Sequence, residues 1–309
     1  MRRSLIAAVV TGSLLLAACG GDDGETTDET SAPAETAAPT ETEAPTETEA
    51  PAATGTGNEC TAGNTLEEGV LTVATGNPAF GPWVVDDTPE SGEGFEAAVA
   101  YAVAEEMGFA AENVAWVRTG FDEAIQPGPK TFDFNLQQYT ITEERKATVS
   151  FSAPYYSTNQ AIVALEGSPA EGAATVADLK GVKFGAQAGT TSLDFITDVI
   201  APDAEPFVYD DNVGAKAALE AGQIDAIVVD LPTALYISAV EIEGSSVTGQ
   251  FPLVEGVPVD DFGLLFDLDN PLVECVDAAL AALKDSGELA AIETEWMSTD
   301  AGIPVIAVE

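Results

Sequence analysis

Apolar residues divide this chain into three zones. The first is one run, Leu5 to Leu16, preceded by Arg2 and Arg3. It is shorter than the roughly 20 apolar residues of a membrane span. Its basic start and small-residue end predict an export signal over residues 1–18. The second zone, Gly20 to Asn58, holds no aromatic and no large aliphatic residue, and it repeats Thr-Glu-Thr-Glu-Ala-Pro over Thr40–Pro45 and Thr46–Pro51. With nothing to bury against the entropy of ordering, residues 19–58 predict a disordered spacer, extended by prolines and like charges. From Glu59 onward apolar clusters return and persist to the C-terminus.

Within this third zone, strand-like and helix-like spacings alternate. Val70–Thr75 reads as a strand, followed by a Gly/Pro-rich loop, Gly76–Gly94. Phe95, Val99, Val103 and Met107 recur four apart on one helix face, with Gly108 as the stop. Val114–Val117 reads as a strand, Phe121–Gln126 as a short helix and Phe132–Tyr139 as a strand. Further strands are expected at Val182–Ala186, Phe207–Tyr209, Ala226–Val229 and Phe262–Phe266. Helices are expected at Ser192–Ile200, Val213–Ala221, Pro232 to about Val240, Pro271–Asp285 and Glu288–Met297. Such alternation predicts α/β layers with largely parallel sheets.

Composition narrows the chemistry. Histidine is absent, which removes Ser–His and Cys–His nucleophile pairs, His-containing zinc sites and imidazole proton shuttles. The formal net charge is −43, and from Glu59 onward 43 acidic residues face only 8 basic ones. Nucleic acid and anionic headgroups are therefore poor partners. Such a surface suits high salt or simply keeps an exported protein in solution. Of the three cysteines, Cys19 follows Leu16-Ala17-Ala18. That tetrapeptide resembles the bacterial lipobox, which implies a lipid-modified Cys19 at the mature N-terminus and attachment to the outer face of the cytoplasmic membrane. Cys60 and Cys275 are either a disulfide, as an oxidising compartment allows, or two separate buried thiols.

A family resemblance appears in the middle of the chain. Phe132-Asp133-Phe134-Asn135-Leu136-Gln137-Gln138-Tyr139-Thr140-Ile141-Thr142-Glu143-Glu144-Arg145 runs into Val149-Ser150-Phe151-Ser152-Ala153-Pro154-Tyr155-Tyr156. This resembles the core motif of extracellular solute-binding family 3, the polar amino-acid-binding proteins of ABC importers. Gly94-Phe95-Glu96, Asp178-Leu179-Lys180-Gly181, Gly189-Thr190-Thr191 and Ala221-Gly222-Gln223-Ile224-Asp225-Ala226 follow in the family's order, so the likeness spans Leu66 to Met297. The resemblance implies a two-lobe, periplasmic-binding-protein-like (type II) α/β fold with two hinge crossovers. Lobe one would comprise residues 59–156 and 257–309, and lobe two residues 157–256. Both Cys60 and Cys275 then fall in lobe one, which favours a bridge between them.

The same resemblance assigns a ligand set. Arg145 takes the carboxylate-binding role, which suits the planar fork of a guanidinium. Thr191 supplies a hydroxyl and backbone N–H from the second lobe, although an N-cap would also explain it. Asp230, at a strand end before Pro232, is expected to meet the α-ammonium; a helix cap is its competing role. Gln137 and Thr140 supply polar contacts, and Phe80 and Phe121 sandwich the ligand side chain, where core packing is the alternative for each. Asn77 stands where binders of basic amino acids often carry an aspartate, which points away from lysine or arginine. Trp83, Trp116 and Trp296 are expected to be packing residues.

The resulting expectation is a lipid-anchored monomeric receptor that delivers a polar amino acid to an ABC permease, with no cofactor or metal. Alternatives on the same fold are a cyclohexadienyl-dehydratase-like enzyme, which would need an Asp or Glu as proton donor, and a ligand sensor.

Overall fold

A computed structural model describes residues 55–251, 259–297 and 302–308. The signal, Cys19 and most of the expected spacer lie outside the described residues. The folded part begins earlier than Glu59. Gly55 and Thr56 form β-bridges with Phe109, and Gly57 N–H donates to Gly108 O at 3.0 Å.

Two five-stranded sheets make two lobes. In lobe one, β1 (Leu71–Gly76) lies parallel to β2 (Val114–Thr119) and β3 (Phe134–Asn135). The sheet is completed by β4 (Ser150–Phe151) and the late strand β12 (Leu265–Phe266), in the order β2-β1-β3-β12-β4. Helices α1 (Phe95–Glu106), α6 (Leu272–Ser286) and α7 (Glu288–Trp296) cover one face with a core of Phe95, Val99, Val103, Phe134, Val276 and Leu280. The Phe95–Met107 stripe thus faces inward as its spacing predicted. Cys60 and Cys275 are joined by a disulfide with Cα atoms 5.8 Å apart, tying the segment before β1 to α6.

Two antiparallel crossovers, β5 (Tyr156–Thr158) and β11 (Asp260–Phe262), lead to lobe two and back. Lobe two holds β6 (Gln160–Leu165), β7 (Phe184–Gln187), β8 (Phe207–Tyr209), β9 (Ala226–Asp230) and β10 (Ser245–Gln250), in the order β10-β6-β9-β7-β8. Its core joins aliphatic residues, Ile162, Val163, Ile196, Ile227 and Val228, to three buried rings, Phe184, Phe195 and Phe251.

The sheets are mixed rather than largely parallel. β6 runs antiparallel to both β10 and β9, and β12 antiparallel to both β3 and β4. Neither β6 nor β10 was anticipated, and each chain return they provide reverses a strand. Phe132–Tyr139 is not one strand: only Phe134–Asn135 pairs, and the chain leaves the sheet before Gln138, whose φ is +52°. Phe262–Phe266 likewise divides at Gly263–Leu264 into a crossover and a sheet strand. Residues 302–308, expected in lobe one, pack on lobe two. Val305 bridges Gln250, Ala307 bridges Thr175, and the buried Ile306 joins the lobe-two core.

Candidate functional site

The cavity between the lobes lies where β1, β9 and the loop after β7 end. Seven of the eight proposed ligand residues line it: Arg145, Thr140, Gln137, Thr191, Asp230, Phe80 and Phe121. Asn77 does not. It is exposed, and the loop after β1 turns so that Pro78, Ala79 and Phe80 reach the cavity instead. The argument from Asn77 against basic ligands therefore lapses.

Arg145 is buried at 7 % exposure and lies with its guanidinium carbon 5.4 Å from the centre of the Phe121 ring. Its Nη1 donates to Thr140 O at 2.7 Å and its Nη2 to Gly189 O, across the cleft, at 2.9 Å. A guanidinium has five N–H donors, so three stay uncommitted among the described residues. Burial lowers its pKa, opposed by nearby Tyr139 and by the carboxylates of Asp194, Asp260 and Glu144. Gly189 has φ +69°, and a Cβ there would sit 2.2 Å from Asp122 Oδ1 on the other lobe. The left-handed φ favours glycine here, and a side chain would push the exposed Asp122 carboxylate aside.

Behind Arg145 stands Asp260, on the return crossover. Its Oδ1 accepts from the Thr140 hydroxyl at 3.0 Å and the Thr191 hydroxyl at 2.9 Å, and its Oδ2 from Gln160 Nε2 at 2.9 Å. Residues from both lobes thus converge on one hinge carboxylate. The helix α3 (Thr191–Asp194) is capped by Thr190, whose hydroxyl oxygen accepts from Leu193 N–H at 3.2 Å. Thr191 is therefore released from capping.

At the opposite pole Asp230 ends β9 and caps α5 (Leu231–Tyr236), accepting from Thr233 N–H at 2.9 Å and the Thr233 hydroxyl at 2.8 Å. Both roles considered for it, cap and cavity wall, are present. Burial raises its pKa to about 6, against these two bonds and with Asp260 adding to the rise. Trp83, expected only to pack, also joins the lobes: its Nε1–H donates to the Thr233 hydroxyl at 2.8 Å. Its ring meets Phe95, Tyr156 and Phe262 edge-on at 5.6–5.9 Å.

Beneath the floor lies Glu96, 1 % exposed. It accepts from the Tyr155 hydroxyl, from Gln138 N–H at 2.8 Å and from Gln138 Nε2 at 2.5 Å. Burial pushes its pKa up to about 7, opposed by those three donors. Gly94 opens α1 with φ +104°, and a Cβ there would fall 2.5 Å from Trp83 O. That close approach seats Glu96 under the cavity. The sequence reading missed Glu96, Asp260 and Gln160; the signal available was a charged or amide residue inside an otherwise apolar run.

The sequence profile of bacterial extracellular solute-binding proteins, family 3, matches residues 71–299. This protein belongs to that family. Among family relatives, the L-cystine-binding protein TcyJ of Escherichia coli K12 is 30% identical over 209 residues, covering 67% of this chain and 75% of its own. The arginine-binding periplasmic protein of Mannheimia haemolytica is 31% identical over 228 residues, covering 71% and 88%. Among solved structures, an ancestral arginine-binding protein bound to arginine matches with TM-score 0.61 and 32% identity, over 74% of this chain and 98% of that one. The family 3 fold carries the two lobes and mixed sheets described above.

Proposed function

We propose that this protein is a lipid-anchored receptor that captures a polar amino acid between its lobes and hands it to the permease of an ABC importer. One observation carries the reading: among the described residues a single guanidinium, Arg145, and a single carboxylate, Asp230, from opposite lobes, line one cavity. A zwitterionic amino acid presents the complementary pair. Each charge loses water on closure, so each needs a counter-charge and hydrogen bonds. The uncommitted N–H groups of Arg145 suit the α-carboxylate, and Asp230 suits the α-ammonium. The relatives' own names, a cystine binder and an arginine binder, support an amino acid as cargo.

The lipid anchor rests on Cys19 and the spacer that follows it. Replacing Cys19 with Ala is expected to release the protein from membranes with ligand binding intact, read by fractionation and titration. A dehydratase on this fold would need a proton donor in the cavity. Asp230 is the one carboxyl lining it among the described residues, and it is already engaged as the cap of α5 by the Thr233 N–H and hydroxyl. Calorimetric titration with the twenty amino acids tests the binding reading. Saturable heat with one or a few of them is expected, and no heat with any would remove it.

A further inference from the structure

Charge and hydrogen-bond inventory around the cavity restrict the ligand's side chain. Arg145 and Asp230 are the only charged residues among the described ones lining it, and an α-amino acid uses both for its main-chain groups. The neighbouring carboxylates are already engaged behind the wall. Glu96 accepts three donors, and Asp260 accepts from Thr140, Thr191 and Gln160. A cationic or anionic side chain would therefore be enclosed without a counter-charge, which disfavours it.

What the wall does offer is carboxamides: Gln137, Gln138, Gln160, Gln187 and Asn212. Two of them are fixed from behind. Gln138 is held by Glu96 through both its N–H and its Nε2, in a left-handed conformation that side-chain-bearing residues seldom adopt. Gln160 is 5 % exposed, and its Nε2 is spent on Asp260, which turns its carbonyl the other way. Among the described residues that Oε1 is buried and without a hydrogen-bond partner. A buried unpaired acceptor is costly, and Gln160 lines the cavity beside Asp230, its cross-strand neighbour.

We propose, on top of the amino-acid-receptor reading, that the cavity selects an amino acid whose uncharged side chain ends in a carboxamide, and that Gln160 Oε1 accepts a hydrogen bond from that ligand. A carboxamide brings both an N–H for such carbonyls and an oxygen for the amide N–H groups around it. Glutamine and asparagine meet this requirement.

The test is calorimetric titration of the protein with the twenty amino acids. Glutamine or asparagine is expected to bind tightest, and glutamate, lysine and arginine about 100-fold or more weaker. Any other amino acid binding tightest overturns the selectivity while leaving the receptor reading in place. Absence of binding by all of them overturns both. Gln160→Met keeps the length but removes both the carbonyl and the amide N–H that Asp260 accepts, so it is expected to lower the melting midpoint and to weaken the amide ligand about tenfold or more, with other amino acids weakened less. Unchanged affinity would remove Gln160 from the ligand contacts. Should that variant fold poorly, the wild-type panel still decides the selectivity.

Discussion

The two lobes reach the same cavity by different means. Lobe one surrounds buried polar groups with aromatic rings. Glu96 lies among Trp83, Phe95 and Tyr155, and Asp133, 2 % exposed, accepts from Leu66 N–H and Thr72 N–H at 2.7 Å each. A disulfide across a sequence separation of 215 adds a covalent tie. Lobe two packs a mainly aliphatic sheet, with Phe184, Phe195 and Phe251 on one face, under short helices. Both α3 and α5 start at a side-chain cap beside the cavity, Thr190 and Asp230, and widen into π-helical turns, Phe195–Ile200 and Ile237–Glu241, farther away. In lobe one, removal of Glu96 or Asp133 is costly because their donors stay buried.

Charge removal at the cavity separates the contributions of the two lobes most sharply. Arg145→Ala is expected to cost roughly 3–5 kcal/mol of ligand affinity, or about two to nearly four decades. Arg145→Lys should recover little of it, since an ammonium lacks the fork. Asp230→Asn keeps shape and cap geometry and should weaken binding less. Titrations on variants with native circular dichroism measure all three. Equal losses from Arg145→Ala and Asp230→Asn would mean that the poles are equivalent.

Opening the disulfide tests the lobes apart from the ligand. Replacing Cys60 and Cys275 by Ala should destabilise the protein by about 2–5 kcal/mol. Amide hydrogen exchange should quicken in β1 and α6 while β6, β7 and β9 stay protected. Uniform loss of protection would show that the lobes unfold as one.

Acidity should then move stability and affinity in opposite directions. Folding raises Glu96 from 4.5 to about 7 and Asp230 from 3.8 to about 6. The folded state therefore binds more protons than the unfolded one between these values. The stabilisation from both groups is complete below about pH 4 and is lost as pH rises through 6 and 7. The unliganded protein should accordingly melt higher at pH 5 than at pH 8. Surface self-repulsion acts in the same sense, and high salt removes that part. Ligand affinity should fall below about pH 6, where Asp230 gains a proton. A melting midpoint that is flat or rises with pH at high salt contradicts the burial of these carboxyls. The smallest effect expected is from Trp83→Phe, which keeps the ring cluster and deletes the bond to Thr233, at about 1 kcal/mol of closed-state stability read as affinity.

How much was legible follows from the range of each interaction. The α1 stripe could be read because helical spacing is local, and its Phe95 and Val99 are buried as expected. Helix limits at α4 (Asn212–Glu220), α6 and α7 came within a residue or so for the same reason. The family resemblance suggested eight ligand residues, and seven of them stand around one cavity. Asn77 failed because a one-residue change of direction in a loop decides which side chain faces in. Charge balance and the absence of histidine are read directly from composition.

Strand direction was another matter. An apolar run such as Ala161-Ile162-Val163-Ala164 looks the same whether its neighbour runs parallel or antiparallel, so the mixed sheets emerged only with the register of β6 against β9 and β10. The Cys60–Cys275 bond and the convergence of Thr140, Thr191 and Gln160 on Asp260 join residues 69 to 215 positions apart, and Ile306 docks on lobe two against Gln250, 56 positions away. No spacing rule reaches that far. Burial pairs these groups, because a polar atom withdrawn from water must find its partner wherever the folded chain has brought one.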